Sequence, residues 1–288
     1  MILVDMNQVT IGNIMAESRG EPIVNEDLIR HMVVNSIRSI KNKHGAQYGE
    51  IVICYDYHGS WRKKFFPPYK ENRKKQRQAS KVDWKALFDL LGTIRDELVA
   101  SLPYKVICVP DAEADDIIAT LAIDAAQREK VLIISSDGDF QQLQKYANID
   151  QYSPIQKKFM KCDSAFTYLF EHIIRGDASD GVPNILSPDD IFLVDGKRQS
   201  SITEKKYNAW FEKWKGSNYE FSVIAENADM LTRIIRNTTL IDFRCIPPSL
   251  TSEIMAKYTS IVPATRDKLM GYFAAKGMRN LIQHISEF

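Results

Sequence analysis

Carboxylate side chains follow several apolar runs of this 288-residue chain. Asp5 comes directly after Ile2-Leu-Val, and Asp56 comes directly after Ile51-Val-Ile-Cys-Tyr. Two later runs, 106–109 and 131–136, lead to the further acids Glu113, Asp115, Asp116, Asp137 and Asp139. Carboxylate oxygens are the ligands that Mg²⁺ prefers, and two such ions can activate a water and stabilise the leaving oxygen of a phosphodiester. These residue types therefore predict metal-assisted hydrolysis of a phosphate ester.

The apolar runs themselves predict the elements that hold these acids. Continuous runs of four to six residues, rich in Val and Ile, are typical of buried strands in a parallel sheet. Ligands of open α/β sheets lie outside the carboxyl ends of such strands. Acids gathered at that edge repel each other, so we expect cations to hold them together. The predicted fold class is α/β, with a mostly parallel central sheet flanked by helices.

Each acidic group also has a purely structural interpretation. Acids near a helix N-terminus, such as Asp111 and Glu113, are favoured by capping and by the helix dipole. Asp137-Gly138 is a common turn, and Asp5 could cap the turn that follows it. A later Gly176-Asp177-x-x-Asp180 sequence could be a helix C-cap followed by a polar turn. The conjunction of acids at several strand ends nevertheless favours a metal site.

The segment 57–82 carries a strong local excess of positive charge. Between Trp61 and Lys81 there are nine basic residues and one acid, Glu71, so this stretch has a net charge of +8 in a chain of net charge +1. Aromatic residues alternate with the cations. Phosphates attract cations and bases stack on aromatic rings, so the segment predicts a single-strand-binding surface. A solvated loop is the alternative, but its place directly after the Asp56 strand favours delivery of phosphate to metal.

Periodicity predicts two domains. An α/β core is expected over 1–160, including the basic segment 57–82, with helices over 25–45, 83–101 and 111–129 and a hairpin over 149–161. A helical portion is expected over 161–288, with helices near 164–175, 202–215, 219–238, 248–260 and 266–286. This portion is predicted to contribute to nucleic-acid binding.

Several other function classes are disfavoured. The chain has no apolar stretch of 18 residues and no visible signal peptide, so we expect a cytoplasmic protein with no membrane contact. His58 lies near Asp56, but no nucleophilic Ser or Cys motif accompanies it. No Gly-x-x-x-x-Gly-Lys loop indicates NTP hydrolysis, and the four separated cysteines do not indicate zinc.

Three alternative classes share part of the pattern. A haloacid-dehalogenase-type phosphatase needs Asp-x-Asp after its first strand, where this chain has Asp5-Met-Asn7. A compact PIN-type ribonuclease has an acid-edged sheet but lacks a long basic segment and a helical C-terminal portion. A non-catalytic DNA-binding scaffold would tolerate loss of acids, and none of the expected acids is lost.

The motifs together resemble the flap endonuclease (5′-nuclease) family, in particular its branch typified by the ribonuclease H of T-even phages. The resemblance covers almost the whole chain. It rests on Asp5, on Asp56 followed by a basic arch, on the acids from Glu113 to Asp116, on Ser135-Ser-Asp-Gly-Asp-Phe140 and on Gly176-Asp-x-x-Asp180. It implies a PIN-like core with a basic helical arch. It also implies a monomeric nuclease that removes lagging-strand RNA primers in DNA replication.

The resemblance also implies site residues and ligands. Two Mg²⁺ ions, replaceable by Mn²⁺, would be bound: the first by Asp5, Asp56, Glu113, Asp115 and Asp116, the second around Asp139, Asp177 and Asp180, with Asp137 near both. Asp137, Asp115 and Lys70 would be catalytic. Lys70 belongs to an arch motif, Tyr69-Lys-Glu-Asn-Arg73, and would neutralise the scissile phosphate. The nucleic-acid-binding set would be Arg62, Lys64, Tyr69, Lys70, Arg73, Lys74, Lys75 and Arg77.

Implied partners are DNA and RNA–DNA duplexes, 5′ flaps, a single-strand-binding protein and a sliding clamp. One departure from the family concerns duplex binding. Many members follow the Gly-Asp-x-x-Asp signature with a Gly-rich hairpin that holds a potassium ion. In this chain residues 182–190 contain no Gly-x-Gly. A modified turn is therefore expected, helped by Lys205, Lys206, Lys213 and Lys215.

Overall fold

The computed structural model describes residues 1–18 and 25–288, which divide into two compact units. The sheet unit comprises Met1–Gly59, Lys81–Lys161 and Pro248–Phe288, and the helical unit comprises Ser60–Ser80 and Cys162–Pro247. The boundary predicted near residue 160 lies at one edge of this division. The basic segment, however, belongs to the helical unit, and the last 41 residues belong to the sheet unit.

A six-stranded sheet forms the centre of the sheet unit. Its strands are β1 (Ile2–Asp5), β2 (Ile51–Cys54), β3 (Lys105–Ile107), β4 (Val131–Ile134), β5 (Ile149–Ser153) and β6 (Lys158–Met160). The spatial order is β3-β2-β1-β4-β5-β6. All neighbours are parallel except β5 and β6, which form the predicted antiparallel hairpin. The predicted mostly parallel α/β fold is confirmed.

The helices of the described residues follow in chain order: α1 (Met6–Ser18), α2 (Glu26–Tyr48), α3 (Trp61–Phe65), α4 (Asn72–Ala79), α5 (Trp84–Ser101), α6 (Ala114–Ala125), α7 (Ala165–Arg175), α8 (Glu204–Gly216), α9 (Ala228–Ile241), α10 (Pro248–Ser260), α11 (Arg266–Ala275) and α12 (Arg279–Ile282). No helix of the described ranges is long and apolar enough to span a membrane.

Local signals account for most of these bounds. Asn25 caps α2 by accepting a hydrogen bond from the backbone N–H of Leu28, and Asp83 caps α5 in the same way. The helix predicted over 219–238 is divided, because Asn227 caps α9 and separates it from a short 3-10 turn. The helix predicted over 266–286 also divides, at Gly277, whose φ of +68° is in the left-handed region.

Helix α1 was not predicted from the sequence. It begins directly after Asp5, and its apolar residues do not lie on one face, so the usual amphipathic period is missing. Strands β1, β2 and β4 were predicted because they are buried along their whole length and therefore almost entirely apolar. Ile2, Val4, Ile51 and Ile53 all lie in the core of the sheet unit, with at most 1% of their surface exposed.

The helical unit has an aromatic core. Phe170 of α7 packs with Trp210 and Trp214 of α8 and with Ile234 of α9. A neighbouring cluster contains Phe66 and Tyr69 of the basic segment together with side chains of α7 and α9. The basic segment forms the two helices α3 and α4. Two buried aromatic residues are too few to give it an apolar period, so these helices were not predicted from its periodicity.

Candidate metal centre

Asp5 is the buried acid at the end of β1. Its Oδ1 atom accepts a hydrogen bond of 3.1 Å from the Gln8 N–H, and its Oδ2 atom accepts one of 3.0 Å from the Ser135 hydroxyl. The pKa of Asp5 is raised to about 7, mainly by burial and also by the negative charges of Asp56 and Asp137, while the two hydrogen bonds oppose this shift. A bound cation would relieve this repulsion.

Ser135 connects the acids that follow β1 and β4. Besides donating to Asp5, its hydroxyl oxygen accepts a hydrogen bond of 3.1 Å from the Asp137 N–H. The Gln151 amide donates to the carbonyl oxygens of Asp137 at 2.6 Å and Ser135 at 3.1 Å. Asp137 in turn accepts a 3.0 Å hydrogen bond from the Asp139 N–H. The turn that carries Asp137 and Asp139 is therefore fixed from both neighbouring strands.

Asp56 links the end of β2 to the start of α6. Its Oδ1 atom accepts a hydrogen bond of 2.8 Å from the Ala114 N–H, and its Oδ2 atom accepts one of 2.7 Å from the Asn7 amide. Glu113 is the N-cap residue of α6. The backbone N–H of Glu113 donates a 3.0 Å hydrogen bond to the carboxylate of the fully buried Asp116. These contacts bring the first turn of α6 beside Asp56.

The sheet unit thus contains seven of the nine predicted metal ligands. They are Asp5, Asp56, Glu113, Asp115, Asp116, Asp137 and Asp139. The donor set is made of carboxylate oxygens, which suits a hard cation such as Mg²⁺. The raised pKa of Asp5 shows that the acids act on one another electrostatically. The residues present therefore fit a divalent metal centre.

The other two predicted ligands, Asp177 and Asp180, lie in the helical unit. Burial opposes ionisation of Asp177, but side-chain hydrogen bonds with His172 and Ser179 outweigh it and lower the pKa of Asp177 to about 2. Gly176 has a φ of +70°, and a Cβ atom there would lie 2.4 Å from the Val182 carbonyl oxygen. The glycine of this signature is therefore required by the close approach of the following turn.

A buried arginine side chain stabilises that turn. Arg236, with 5% of its surface exposed, donates a 2.7 Å hydrogen bond to the Pro183 carbonyl and forms an ion pair with Asp189. The amide of Asn237 donates to the same carbonyl at 2.9 Å and to the Ile173 carbonyl at 2.7 Å. These residues support the turn in place of a Gly-rich hairpin.

The predicted nucleic-acid-binding residues differ in accessibility. Arg62 is buried, and its guanidinium donates a 2.8 Å hydrogen bond to the Leu240 carbonyl. Tyr69 is also buried. Lys70 and Arg73 are partly exposed and contact Asp180. The exposed members of the set are Lys64, Lys74, Lys75 and Arg77. Arg62 and Tyr69 thus take part in packing of the helical unit.

Sequence reasoning assigned no role to the neutral residues that hold the acids. Ser135, Asn7 and Gln151 each hydrogen bond to a predicted ligand or to its backbone. Ser135 and Asn7 lie within two residues of a predicted ligand, so their positions were a usable signal. Gln151 lies 14 residues after Asp137 and becomes its neighbour only through the parallel pairing of β4 with β5.

An acid-edged, mostly parallel sheet of this kind is compatible with a metal-dependent nuclease, and comparison with known proteins identifies that class. A family model described as the 5′-3′ exonuclease N-terminal resolvase-like domain matches residues 10–168. A second model, described as the C-terminal part of T4 RNase H, matches residues 163–288. The ribonuclease H of Enterobacteria phage T4 is 33% identical over 294 residues, which cover 99% of this chain and 95% of the relative.

More distant similarities involve flap endonucleases. The flap endonuclease Xni of Shewanella denitrificans is 28% identical over 149 residues, covering 48% of this chain and 55% of the relative. The structure of T5 5′-exonuclease with bound zinc matches with a TM-score of 0.62 at 17% identity, covering 96% of this chain and 98% of that one. A complex of T5 D15 flap endonuclease with DNA and metal ions gives 0.61 at 17% identity, covering 100% and 99%.

The chain belongs to the 5′-3′ exonuclease family and combines its N-terminal domain with a C-terminal domain of the T4 RNase H type. It is a nuclease, a hydrolase of phosphodiesters, as the sequence predicted. Family membership sets aside the phosphatase and the non-catalytic scaffold.

Proposed function

We propose that this protein is a Mg²⁺-dependent 5′-nuclease that cleaves phosphodiesters near the 5′ ends of RNA or DNA strands in duplexes and at 5′ flaps. The single observation that carries the proposal is the convergence of acids from three strand ends. The Ser135 hydroxyl hydrogen bonds to the Asp5 carboxylate and to the Asp137 backbone, and the Asp56 carboxylate accepts a hydrogen bond from the Ala114 N–H. Cleavage would leave 5′-phosphate and 3′-hydroxyl ends.

In this proposal the first ion is held by Asp5, Asp56, Glu113, Asp115 and Asp116, Asp137 lies between the sites, and Asp139 serves the second. The assignment of Asp177 and Asp180 to the second ion rests on family resemblance. When bound, the pair of ions would activate a water and stabilise the leaving oxygen. Mn²⁺ is expected to replace Mg²⁺, since it also accepts oxygen ligands.

The chain's own residues would supply binding and orientation. The exposed cations Lys64, Lys74, Lys75 and Arg77 would attract the phosphate backbone, because neutralising phosphates releases counterions. Lys70 would neutralise the scissile phosphate. An acidic centre alone would repel its substrate, so the +8 segment is a necessary part of the proposed activity.

The family resemblance extends the proposal to a biological role. The enzyme would remove lagging-strand RNA primers as a monomer in the cytoplasm of the cell in which replication takes place. Its substrates would be DNA and RNA–DNA duplexes and 5′ flaps, and its partners a single-strand-binding protein and a sliding clamp.

The deciding experiment uses flap, nicked and RNA–DNA hybrid substrates, each labelled at the 5′ or the 3′ end. With Mg²⁺ we expect short 5′-labelled products from hybrids and nicks and a flap-length product from flaps. EDTA should stop all cleavage. The Asp137→Asn variant should bind substrate without cutting it, because amide and carboxylate have the same shape and the basic helices remain.

Asp163→Asn serves as the matched control, since Asp163 is exposed and was not assigned to the site. Release of inorganic phosphate from a small ester, or full activity of Asp137→Asn, would contradict the proposal.

A further inference from the structure

Two sequence motifs meet within the helical unit. The hydroxyl of Tyr69 donates a 2.8 Å hydrogen bond to Oδ2 of Asp180, and the guanidinium of Arg73 forms an ion pair with Oδ1 of the same carboxylate. The ammonium of Lys70 lies 3.4 Å from Oδ2. Three members of the arch motif therefore converge on one acid from the Gly-Asp-x-x-Asp turn, 107 to 111 positions later in the chain.

Backbone contacts reinforce this side-chain cluster. The Lys70 N–H donates a 2.7 Å hydrogen bond to the Asp180 carbonyl, and the Asn72 amide donates one of 2.7 Å to the Ala178 carbonyl. A Cβ atom on Gly181 would lie 3.2 Å from the Pro68 carbonyl oxygen. Residues 68–72, which form the base of the arch, and residues 178–181 of the turn thus pack closely against each other.

The charge balance explains why this contact should matter. The Asp180 side chain is only 13% exposed, and a buried carboxylate is costly unless it is paired and hydrogen bonded. Arg73 and Tyr69 meet that need. Lys70 has a φ of +56°, which is unusual for a residue other than glycine, and its backbone bond to Asp180 holds that conformation. The main chain of residue 180 therefore holds the backbone of Lys70, and the Asp180 carboxylate holds its ammonium group.

We propose that Asp180 is a positioning residue that fixes the base of the arch and orients Lys70 towards substrate, in addition to the metal-binding role implied by the family. This inference rests on the proposed function, because Lys70 is assigned to the scissile phosphate. Tyr69 and Arg73 act in the same way through Asp180. Tyr69, Arg73 and Asp180 form one network of contacts, and loss of any of the three makes the arch more mobile.

The test is a double-mutant cycle with Asp180→Asn and Arg73→Gln, measured by single-turnover cleavage at several substrate and Mg²⁺ concentrations. We expect each variant to raise the substrate concentration for half-maximal rate by about tenfold, typical of a lost charge-assisted hydrogen bond. The double variant should be no worse than either single variant. The Mg²⁺ concentration for half-maximal rate of Arg73→Gln should stay within about twofold of the wild-type value, because Arg73 is not a predicted metal ligand.

A second measurement does not depend on activity. The protease Lys-C cuts after lysines of the arch, none of which these variants change. Asp180→Asn and Arg73→Gln should both speed cleavage of the arch several-fold without substrate. Tyr69→Phe, which removes one hydroxyl and is the mildest change, should do so to a smaller extent. Asp195→Asn is the matched control, because it breaks only the exposed 2.7 Å ion pair with Lys75, and it should resemble the wild type.

Two results would overturn the inference. One is a tenfold or larger shift in the Mg²⁺ requirement of Asp180→Asn with unchanged proteolysis of that variant, since it would leave Asp180 with a metal-binding role alone. The other is additive defects with unchanged proteolysis. A wild-type protein that cuts none of the substrates would instead refute the proposed function, while the proteolysis result would still report on the arch.

Discussion

The Ser135 hydroxyl lies 3.0 Å from Oδ2 of Asp5 and 3.1 Å from the backbone nitrogen of Asp137. One neutral side chain therefore connects the carboxylate at the end of β1 to the backbone of the acid that follows β4. The negative charges of these acids repel each other, and a bound cation would offset that repulsion.

The first prediction is that Ser135→Ala lowers the cleavage rate by tenfold or more. The substitution removes a buried hydrogen bond to Asp5 and leaves the Asp137 N–H without that acceptor, at a cost of about 1–3 kcal/mol. Single-turnover cleavage and urea unfolding measure the two effects. Ser136→Ala is the control, since the Ser136 hydroxyl lies 2.6 Å from that of Ser153 and contacts no predicted ligand. Equal effects of the two variants would show that Ser135 has no special role.

The second prediction concerns Mg²⁺ and folding. Mg²⁺ should raise the melting temperature, by the equivalent of about 2.7 kcal/mol per site at a hundredfold excess over the dissociation constant. Asp5→Asn should melt above the wild type without metal, because a buried negative charge is removed from a repulsive cluster, and should gain less from Mg²⁺. Calorimetry at matched ionic strength measures both. A wild-type melting temperature indifferent to Mg²⁺ would argue against binding to the folded state.

The third prediction concerns pH and a network far from the metal centre. Burial opposes ionisation of Glu97, but hydrogen bonds from Arg30, Lys276 and Tyr272, with charge attraction from Arg30, lower its pKa to about 2. A depressed pKa contributes stability that is present above the unfolded value of 4.5 and lost as pH falls towards 2. Glu97→Gln should therefore cost up to about 3 kcal/mol at pH 7 and progressively less between pH 4.5 and 2.

Urea unfolding at several pH values tests this third prediction. Asp89→Asn, on the same helix α5, is the control, because Asp89 pairs with an exposed Lys85, and surface pairs contribute little. A Glu97→Gln deficit that stays constant down to pH 2 would show that the charge of Glu97 is not what stabilises the network.

The fourth prediction concerns the turn that precedes Asp177. Gly176→Ala should destabilise the protein by about 2 kcal/mol or more, because its φ is +70° and the new Cβ atom would clash with the Val182 carbonyl. Gly216→Ala is the matched control, since nothing lies within 4 Å of that position, and it should be neutral or slightly stabilising. Thermal melting of both variants decides the point, and similar melting temperatures would contradict the predicted strain.

The sequence by itself determined the strands and the acids that end them. Buried parallel strands are apolar at each position, so the runs leading to Asp5, Asp56 and Asp137 were readable without structure. The capping residues Asn25 and Asp83 likewise marked the starts of α2 and α5 through local hydrogen bonds. Helix α1 escaped prediction because it lacks an apolar face.

Only the tertiary structure decided which residues face one another across long stretches of chain. The arch motif looked like a set of phosphate contacts, yet Tyr69 and Arg73 bind Asp180, and Arg62 binds the carbonyl of Leu240, 178 positions away. A lysine or arginine is the same letter in the sequence whether its side chain faces solvent or a buried acceptor. Charge and spacing along the chain therefore identify the chemistry, whereas packing decides which charged groups remain available for substrate.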